Sequence, residues 1–223
     1  MSTAWLNPMN QPKVIFLDAV GTLFGVKGSV GEVYNEVARK FGVEVPAARL
    51  NQAFFLCFQA SAPLTFPGVP ADEIPAREFE WWLEIAIATF QQAGCLNQFV
   101  DFSQFFAELY AHFATPVPWH VYPDVRPALQ HWQKQGIDLG VVSNLDSRIY
   151  PILQAFDLAQ FFNSVTISSE AGLAKPDPNI FQVSLQKHQC LPEQGWHIGD
   201  SYKEDYQAAK AAGLKAIWLK RSF

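Results

Sequence analysis

The sequence predicts an α/β fold, a doubly wound parallel sheet that is interrupted by an inserted helical segment. Short, nearly continuous apolar runs alternate with helical patterns through the second half of the chain, which is typical of a parallel sheet with helices on both faces. Residues 24–120 differ from this pattern, because they contain helical spacing and no convincing strand. The sheet is therefore expected to begin before residue 24 and to resume after residue 120.

The predicted strands are short apolar runs, and helical patterns separate the last four of them. The strands lie at residues 13–18, 137–143, 164–168, 195–200 and 215–220. The helices lie at residues 124–135, 147–156, 178–189 and 204–212. Gly136 and Gly213 close two of these helices, and Pro178 opens another. Strand, helix, strand repeated in this way predicts parallel strands.

The inserted segment predicts four helices. Ser29 and Glu32 form a capping box for the first helix, whose apolar face ends at Gly42. The other three have apolar faces in residues 46–60, 75–93 and 101–114. Their many aromatic side chains fit a compact helical core, an apolar substrate pocket or an oligomer surface.

Composition favours a globular protein that acts on small molecules. The 223 residues are 49% hydrophobic, the formal net charge is −5, and no run of Lys and Arg indicates binding to nucleic acid or an anionic membrane. The first twelve residues lack the features of a signal peptide, and no apolar run is long enough for a membrane span, so we expect a cytoplasmic protein. Cys57, Cys95 and Cys190 are expected to be reduced thiols. Nothing in the sequence indicates the oligomeric state.

Polar side chains stand at the predicted ends of several strands. They are Asp18 after the first strand, Ser143 and Asn144 after the second, Asp200 and Ser201 after the fourth, Asp205 one turn into the next helix, and Lys175 in the loop GLAKPDP. Ligands of parallel α/β sheets bind beyond the carboxyl ends of the strands, so we expect these side chains to converge. Taken singly, each also has a structural interpretation as a helix cap, a turn residue or a solvated lysine.

The order of these residues resembles the four motifs of the haloacid dehalogenase-like (HAD) hydrolases. The motifs are Asp18-x-x-Gly21-Thr22-Leu23, Ser143-Asn144, Lys175-Pro176 and Gly199-Asp200-Ser201-x-x-x-Asp205. The stretches AVGTLF and GSVGEVY, with the pair Trp81-Trp82, look like the rhythmically-expressed-gene-like branch. The resemblance implies a Rossmann-like core domain of residues 1–23 and 121–223, and a helical cap domain of residues 24–120.

The resemblance also implies a Mg²⁺-dependent phosphatase of small phosphorylated molecules. Asp18 is the expected nucleophile, since a carboxylate can attack phosphorus and form an acyl phosphate. The implied metal ligands are Asp18, the backbone carbonyl of Val20, Asp200 and Asp205. A cation there relieves repulsion between the carboxylates, and Mg²⁺ prefers such oxygens. Ser143, Asn144 and Lys175 are expected to bind the phosphoryl group, and Lys175 also to balance the charge of Asp18. His197 lies within a strand and is interpreted as a packing residue.

Val20 departs from the pattern of HAD phosphatases, which usually carry an aspartate two residues after the nucleophile. That aspartate protonates the leaving group and later activates water, and an acid or base of this kind contributes ~10²- to 10⁴-fold in rate. Aryl and acyl phosphates leave as stable anions, so a protein with Val20 is expected to turn over slowly, to prefer such substrates, or to use a proton-transferring group from elsewhere in the chain. Two alternatives stay open, a 2-haloacid dehalogenase, which needs no proton on the leaving halide, and a non-catalytic HAD-fold binding protein.

Overall fold

The computed structural model describes residues 11–221 of the chain. Residues 1–10, which hold most of the stretch where we predict no signal peptide, lie outside the described residues, as do residues 222 and 223. The central sheet has five parallel strands. They are β1 (Val14–Leu17), β4 (Asp138–Ser143), β5 (Ser164–Ile167), β6 (Gly195–Gly199) and β7 (Lys215–Trp218). Their spatial order is β5-β4-β1-β6-β7, so β1 is the central strand. The predicted parallel sheet is confirmed.

Helices cover both faces of the sheet. They are α5 (Val125–Lys134), α6 (Ile149–Ala155), α7 (Ser168–Ala171), α8 (Asn179–Lys187) and α9 (Ala208–Ala211). Strand β1 shows how the two faces are built, because its side chains alternate between two apolar clusters. Ile15 and Leu17 pack with residues of α5 and α6, whereas Val14 and Phe16 pack with residues of α8 and α9. All four side chains are buried, which explains the continuous apolar run in the sequence.

The inserted segment folds into four helices that have an apolar core of their own. They are α1 (Val30–Lys40), α2 (Ala47–Ala60), α3 (Ile74–Gln92) and α4 (Phe102–His112). Ser29 caps α1 by accepting a hydrogen bond from the backbone N–H of Glu32, as the sequence predicts. The core contains Tyr34, Phe54, Phe90 and Phe105. Aromatic side chains thus fill the interior of a small helical unit, although not all of them are buried there.

The prediction that residues 24–120 contain no strand is wrong. Strand β2 (Phe24–Val26) pairs antiparallel with β3 (Trp119–Val121), and the ribbon joins the two ends of the inserted segment. Each strand has only three residues, which is too short for an alternation of apolar and polar residues to be recognised in the sequence. Because the two strands pair, the chain returns from the inserted segment next to the point where it enters that segment.

Two expectations about the whole chain can be compared with the described residues. Within residues 11–221, no helix is long and apolar enough to cross a membrane. Cys57, Cys95 and Cys190 are all free thiols, as expected.

Candidate active site

The predicted site residues converge at the carboxyl edge of three adjacent strands. Asp18 follows the central strand β1, Ser143 is the last residue of its neighbour β4, and Asp200 follows β6 on the other side. Parallel strands end at the same edge of the sheet, so three positions far apart in sequence meet there. Lys175 reaches them from the loop between α7 and α8.

Asp18 is a buried carboxylate with two hydrogen-bond donors on one of its oxygens. Ser143 Oγ donates to Asp18 Oδ1 over 3.0 Å, and Lys175 Nζ donates to the same oxygen over 2.7 Å. Within the described residues, Asp18 Oδ2 receives no hydrogen bond. Burial raises the pKa of Asp18, and the ammonium of Lys175 opposes that effect. One oxygen is therefore held in place while the other keeps its lone pairs for an incoming group.

Lys175 is held on both its side chain and its backbone. Its Nζ atom also donates to Asp205 Oδ1 over 2.5 Å, so the ammonium bridges two carboxylates. Asn144 holds the backbone, because its amide nitrogen donates to the carbonyl oxygen of Lys175 and its amide oxygen accepts from the backbone N–H of Lys175, both over 2.7 Å. Burial opposes the charge of Lys175, but the attraction of Asp18 and Asp205 outweighs it and raises the pKa. The lysine is therefore charged.

Asp205 is more fully bonded than the sequence predicts. Its Oδ1 atom lies 2.8 Å from His197 Nε2 as well as 2.5 Å from Lys175 Nζ, and its Oδ2 atom accepts from the backbone N–H of Ser201. Burial opposes ionisation, yet Lys175 and His197 hold the pKa of Asp205 below its usual range. Asp205 therefore holds the ammonium of Lys175 and the backbone of Ser201, the residue after Asp200, in place.

His197 supports this arrangement from within the sheet. Its side chain is fully buried, and burial lowers the pKa of the imidazole. Its Nδ1 atom has no hydrogen-bond partner among the described residues. A neutral ring that carries its proton on Nε2 and donates to Asp205 fits both facts. The interpretation of His197 as a packing residue is thus incomplete, because it lacks the contact with Asp205. The sequence of an apolar strand does not indicate which side chain a histidine in it contacts.

The helix predicted at residues 204–212 begins with a wide turn. Residues Tyr202–Gln207 form a π-helical turn, and α9 follows it. Ser201 caps the turn by accepting from the backbone N–H of Glu204. Because a π-turn holds one more residue than an α-turn, it accommodates the four residues between Asp200 and Asp205 while both carboxylates reach the site.

Asp18, Asp200 and Asp205 form a carboxylate cluster that fits a divalent cation. One oxygen from each lies within 4.8 Å of the others. Lys175 forms ion pairs with Asp18 and Asp205, and within residues 11–221 Asp200 has no ion pair. Burial and the charges of Asp18 and Asp205 raise the pKa of Asp200 to about 6. An added cation would relieve this repulsion, and oxygen donors of this kind suit Mg²⁺.

Position 21 requires glycine for two reasons, its backbone conformation and the lack of room for a side chain. Its φ angle is +89°, and a Cβ atom there would lie 2.4 Å from Asp200 Oδ2. Arg221 holds the same turn from outside, by donating to the carbonyl oxygens of Gly21 over 3.2 Å and Thr22 over 2.6 Å. The sequence does not predict this contact, since the pair Lys220-Arg221 belongs to no recognisable motif.

Val20 points a hydrocarbon side chain into the cavity beside the cluster. Its residue is 36% exposed, and it lines a cavity of about 870 Å³ together with Lys175 and Glu204. The far side of this cavity is formed by helices of residues 24–120. The side chain at position 20 therefore offers no group that could exchange a proton with a molecule in the cavity.

A second polar cluster joins α3 to the loop after β4. Trp82 Nε1 donates to Asp146 Oδ2 over 2.6 Å, and the carboxylate of Glu78 accepts from the backbone and the hydroxyl of Ser147. Arg148 forms a two-pronged ion pair with Asp146 over 2.8 and 2.7 Å, and its guanidinium lies 4.0 Å from the centre of the Tyr110 ring. These contacts tie the inserted helices to the loop that follows Ser143.

Sequence reasoning missed this second cluster. The sequence places Trp82 on the apolar face of residues 75–93 and in the pair Trp81-Trp82, and it assigns no role to Glu78 of the same predicted helix. The signal that could have found the contact is the pair of charged residues that follows Ser143-Asn144, because a loop at a sheet's ligand edge seldom carries buried charge without a partner.

Comparisons with known proteins agree with the geometry. A family model described as haloacid dehalogenase-like hydrolase matches residues 12–213. The chain is 36% identical over 207 residues to haloacid dehalogenase-like hydrolase domain-containing protein 3 of Bos taurus, and the match covers 93% of this chain and 81% of the relative. It is 28% identical over 219 residues to the rhythmically expressed gene 2 protein of Drosophila melanogaster, covering 93% and 83%. The resemblance drawn from the motifs is confirmed.

A solved structure shows the same fold. The crystal structure of a predicted phosphoglycolate phosphatase from Haemophilus somnus 129pt superposes with a TM-score of 0.66 at 24% sequence identity, and the match covers 95% of this chain and 86% of that one. At this identity the likeness concerns the fold, which agrees with the parallel sheet described above.

Proposed function

The chain belongs to the haloacid dehalogenase-like hydrolase family, and from that premise we propose that it is a Mg²⁺-dependent phosphatase of small phosphorylated molecules that works through an aspartyl-phosphate at Asp18. The observation that carries the proposal is the setting of Asp18. Its Oδ1 atom is fixed by Ser143 and Lys175, and its Oδ2 atom receives no hydrogen bond from the described residues.

The proposed reaction has two displacements at phosphorus. Asp18 Oδ2 attacks the phosphorus atom, the bond from phosphorus to the leaving oxygen breaks, and the leaving group takes the electron pair. Water then attacks the phosphorus of the aspartyl-phosphate, which releases inorganic phosphate and restores the carboxylate, while the proton goes to solvent or to the departed oxyanion. Dividing one difficult step in two is the usual advantage of a covalent intermediate.

The chain's other residues bind and orient the phosphoryl group. Lys175 carries a charge next to the attacking carboxylate, and we assign it to neutralise phosphoryl oxygens as they approach Asp18. Ser143 and Asn144 contribute from the end of β4, where Asn144 fixes the backbone of Lys175. Asp18, the carbonyl of Val20, Asp200 and Asp205 are the proposed metal ligands, and Mg²⁺ would neutralise charge on the transferred phosphoryl group.

We propose that residues 24–120 act as a cap over a core of residues 1–23 and 121–223. The proposal is supported by the separate apolar core of the inserted helices and by the cavity between them and the sheet edge. A cap of this kind excludes bulk water from the reacting atoms. The cytoplasm stays our prediction for the compartment of the protein.

Val20 decides which leaving groups can depart. It lines the cavity and offers no proton, so alkyl oxides, which need one, are expected to leave slowly. Aryl and acyl phosphates release anions that are stable without a proton. We therefore propose that the substrates of this protein are activated phosphates rather than ordinary alkyl esters.

The test of the proposed function compares Asp18→Asn with Asp72→Asn, an exposed aspartate of the inserted segment. Wild type and Asp72→Asn should release phosphate from 4-nitrophenyl phosphate and from acetyl phosphate with Mg²⁺ and lose that activity in chelator. Asp18→Asn should release none, and mass spectrometry should find a phosphoryl adduct on wild type and on Asp72→Asn but not on Asp18→Asn. Full release by Asp18→Asn would refute the assigned nucleophile. Metal-independent chloride release from 2-chloropropionate would favour a dehalogenase instead, and ligand binding without turnover a binding protein.

A further inference from the structure

The cavity beside Asp18 carries an inference about the leaving group. We propose that the substrate is an aryl phosphate monoester whose aromatic leaving group bears no second anionic group. The inference rests on the proposed function, because it concerns the part of the substrate that is not transferred to Asp18. Three observations support it, namely the size of the cavity, its aromatic wall and the pairing of its charges.

The cavity is larger than a phosphoryl group requires. Its volume is about 870 Å³, and it extends from Val20 and Lys175 at the sheet edge to α2 and α3 of the inserted segment. Pockets that bind small organic ligands measure roughly 300–1,000 Å³. A leaving group of two or three carbons would leave most of this space to water, whereas a fused ring system would fill it.

Stacked aromatic rings form the wall opposite the sheet edge. Phe58 is stacked with Phe54 at 5.5 Å between ring centres and with Trp82 at 6.0 Å, and the two interplanar angles are 21° and 23°. All three line the cavity. Phe58 is still 39% exposed, so part of an aromatic face is left uncovered. A planar ring of the substrate can continue the stack, and each such aromatic pair contributes about 0.5–1.5 kcal/mol beyond the burial of area.

Two of the three cations in the described cavity lining already have carboxylate partners. Arg148 is paired with Asp146, and Lys175 is paired with Asp18 and Asp205. The remaining basic residue of the described lining is Lys203, which forms no ion pair within the described residues but is exposed, so that solvent screens its charge. A second anionic group that is buried in the cavity would therefore find no buried cation that is free to pair with it, which is unfavourable. The lining therefore favours an uncharged leaving group over one that carries a carboxylate or a second phosphate.

The side chain at position 20 points to the same chemistry for a separate reason. An aromatic alcohol leaves as a stabilised oxide, so it does not need the proton that Val20 cannot supply. The shape and charge of the cavity are independent of that argument, since they concern the inserted helices and the loop after β4. The missing proton donor at position 20 and the aromatic wall of the cavity therefore both favour a leaving group whose oxygen is bonded to an aromatic ring.

The first experiment compares substrates of the same size and similar leaving-group acidity. Phosphate release from 2-naphthyl phosphate and from 6-carboxy-2-naphthyl phosphate is measured with the full-length wild-type protein and Mg²⁺. We expect kcat/KM to be at least about tenfold higher for the uncharged substrate, because a buried unpaired carboxylate costs more than this ratio. Equal values, or a preference for the carboxylated substrate, would overturn the inference.

The second experiment removes one ring of the stack. Phe58→Leu keeps an apolar side chain, and it should raise KM for 2-naphthyl phosphate about 3- to 10-fold and raise KM for acetyl phosphate by less, because the acetyl group is too small to stack on the ring. The matched control is Leu56→Ala, an exposed residue of α2 outside the cavity lining, which should change neither. An unchanged KM in Phe58→Leu would contradict the aromatic wall.

Acetyl phosphate separates failure of the inference from failure of the proposed function. It is an activated phosphate with a leaving group too small to reach the aromatic wall. Release from acetyl phosphate without preference for 2-naphthyl phosphate would overturn the inference and leave the phosphatase intact. Release from neither compound would overturn both.

Discussion

Lys175→Met tests whether the bridging ammonium is what allows two carboxylates to be buried at the end of β1. Methionine keeps the length and the apolar stem of the side chain and removes the charge and its hydrogen bonds. We expect the free energy of unfolding to fall by about 3–5 kcal/mol, the usual cost of removing one partner from a buried ion pair. Phosphate release should also be lost, because the same ammonium is proposed to bind the phosphoryl group.

The magnitude follows from two short contacts. Lys175 Nζ lies 2.7 Å from Asp18 Oδ1 and 2.5 Å from Asp205 Oδ1, and its side chain is 1% exposed. At an effective dielectric constant of about 20, each attraction is about 6 kcal/mol, and the desolvation of the ammonium cancels a large part of their sum. In the variant, the two carboxylates also repel each other without a neutralising charge between them. For a chain of this length, the expected loss corresponds to a fall in Tm of roughly 6–20 °C.

Unfolding in urea, followed by tryptophan fluorescence in the presence of chelator, measures the loss without interference from bound metal. Lys203→Met is the control, since this lysine is exposed and forms no ion pair within the described residues, and its change should stay within about 0.5 kcal/mol. The double variant Lys175→Met with Asp205→Asn should recover part of the stability by removing one unpaired carboxylate. A loss below about 1 kcal/mol in Lys175→Met would refute the reasoning.

The same contacts give the wild type a specific dependence on pH. Lys175 and His197 hold the pKa of Asp205 below its usual range, so the folded state favours the ionised form more than the unfolded state does. This contribution is present above the unfolded pKa of about 4 and is lost as the pH falls through the folded pKa. The difference in stability between wild type and Lys175→Met should therefore shrink in acid, and a difference that grows would contradict this assignment.

Two further predictions concern the turn after Asp18. Val20→Asp should raise the hydrolysis of alkyl phosphates by ~10²- to 10⁴-fold and that of aryl phosphates far less, and an unchanged alkyl rate would contradict the role given to this position. Arg221→Leu removes the donors to the carbonyl oxygens of Gly21 and Thr22, so the free energy of unfolding should fall by about 1–3 kcal/mol. The control is Lys220→Leu, which should show no comparable loss in the same urea titration. Equal stability of Arg221→Leu and wild type would show that the turn holds without this arginine.

The parts of the fold that depend on long patterns could be predicted from the sequence. The five apolar runs became the five strands of the parallel sheet, and the strand-end rule brought Asp18, Ser143 and Asp200 together. Strands β2 and β3 escaped prediction because three residues cannot show a period. The π-helical turn escaped it because the sequence between Asp200 and Asp205 is compatible with an ordinary helix.

Side-chain partnerships were the least predictable part of the site. The sequence indicated that Lys175 would approach Asp18, but it did not show that the same ammonium would reach Asp205 or that His197 would contact that carboxylate. Those contacts depend on the relative placement of β6 and the loop before α8, which no local pattern encodes. The contact of Trp82 with Asp146 has the same origin, because it joins two elements 64 residues apart.

The balance of charge at the sheet edge links stability to function. Three carboxylates, those of Asp18, Asp200 and Asp205, face one ammonium, that of Lys175, so the cluster has an excess of two negative charges when all are ionised, 3 − 1 = 2. A phosphate dianion would be repelled by this excess, and a divalent cation would cancel it. The lysine that stabilises the fold is thus insufficient for binding a phosphoryl group. Asp18 and Asp205 can therefore be buried with Lys175 alone, whereas the chemistry that we propose requires a metal ion at the whole cluster.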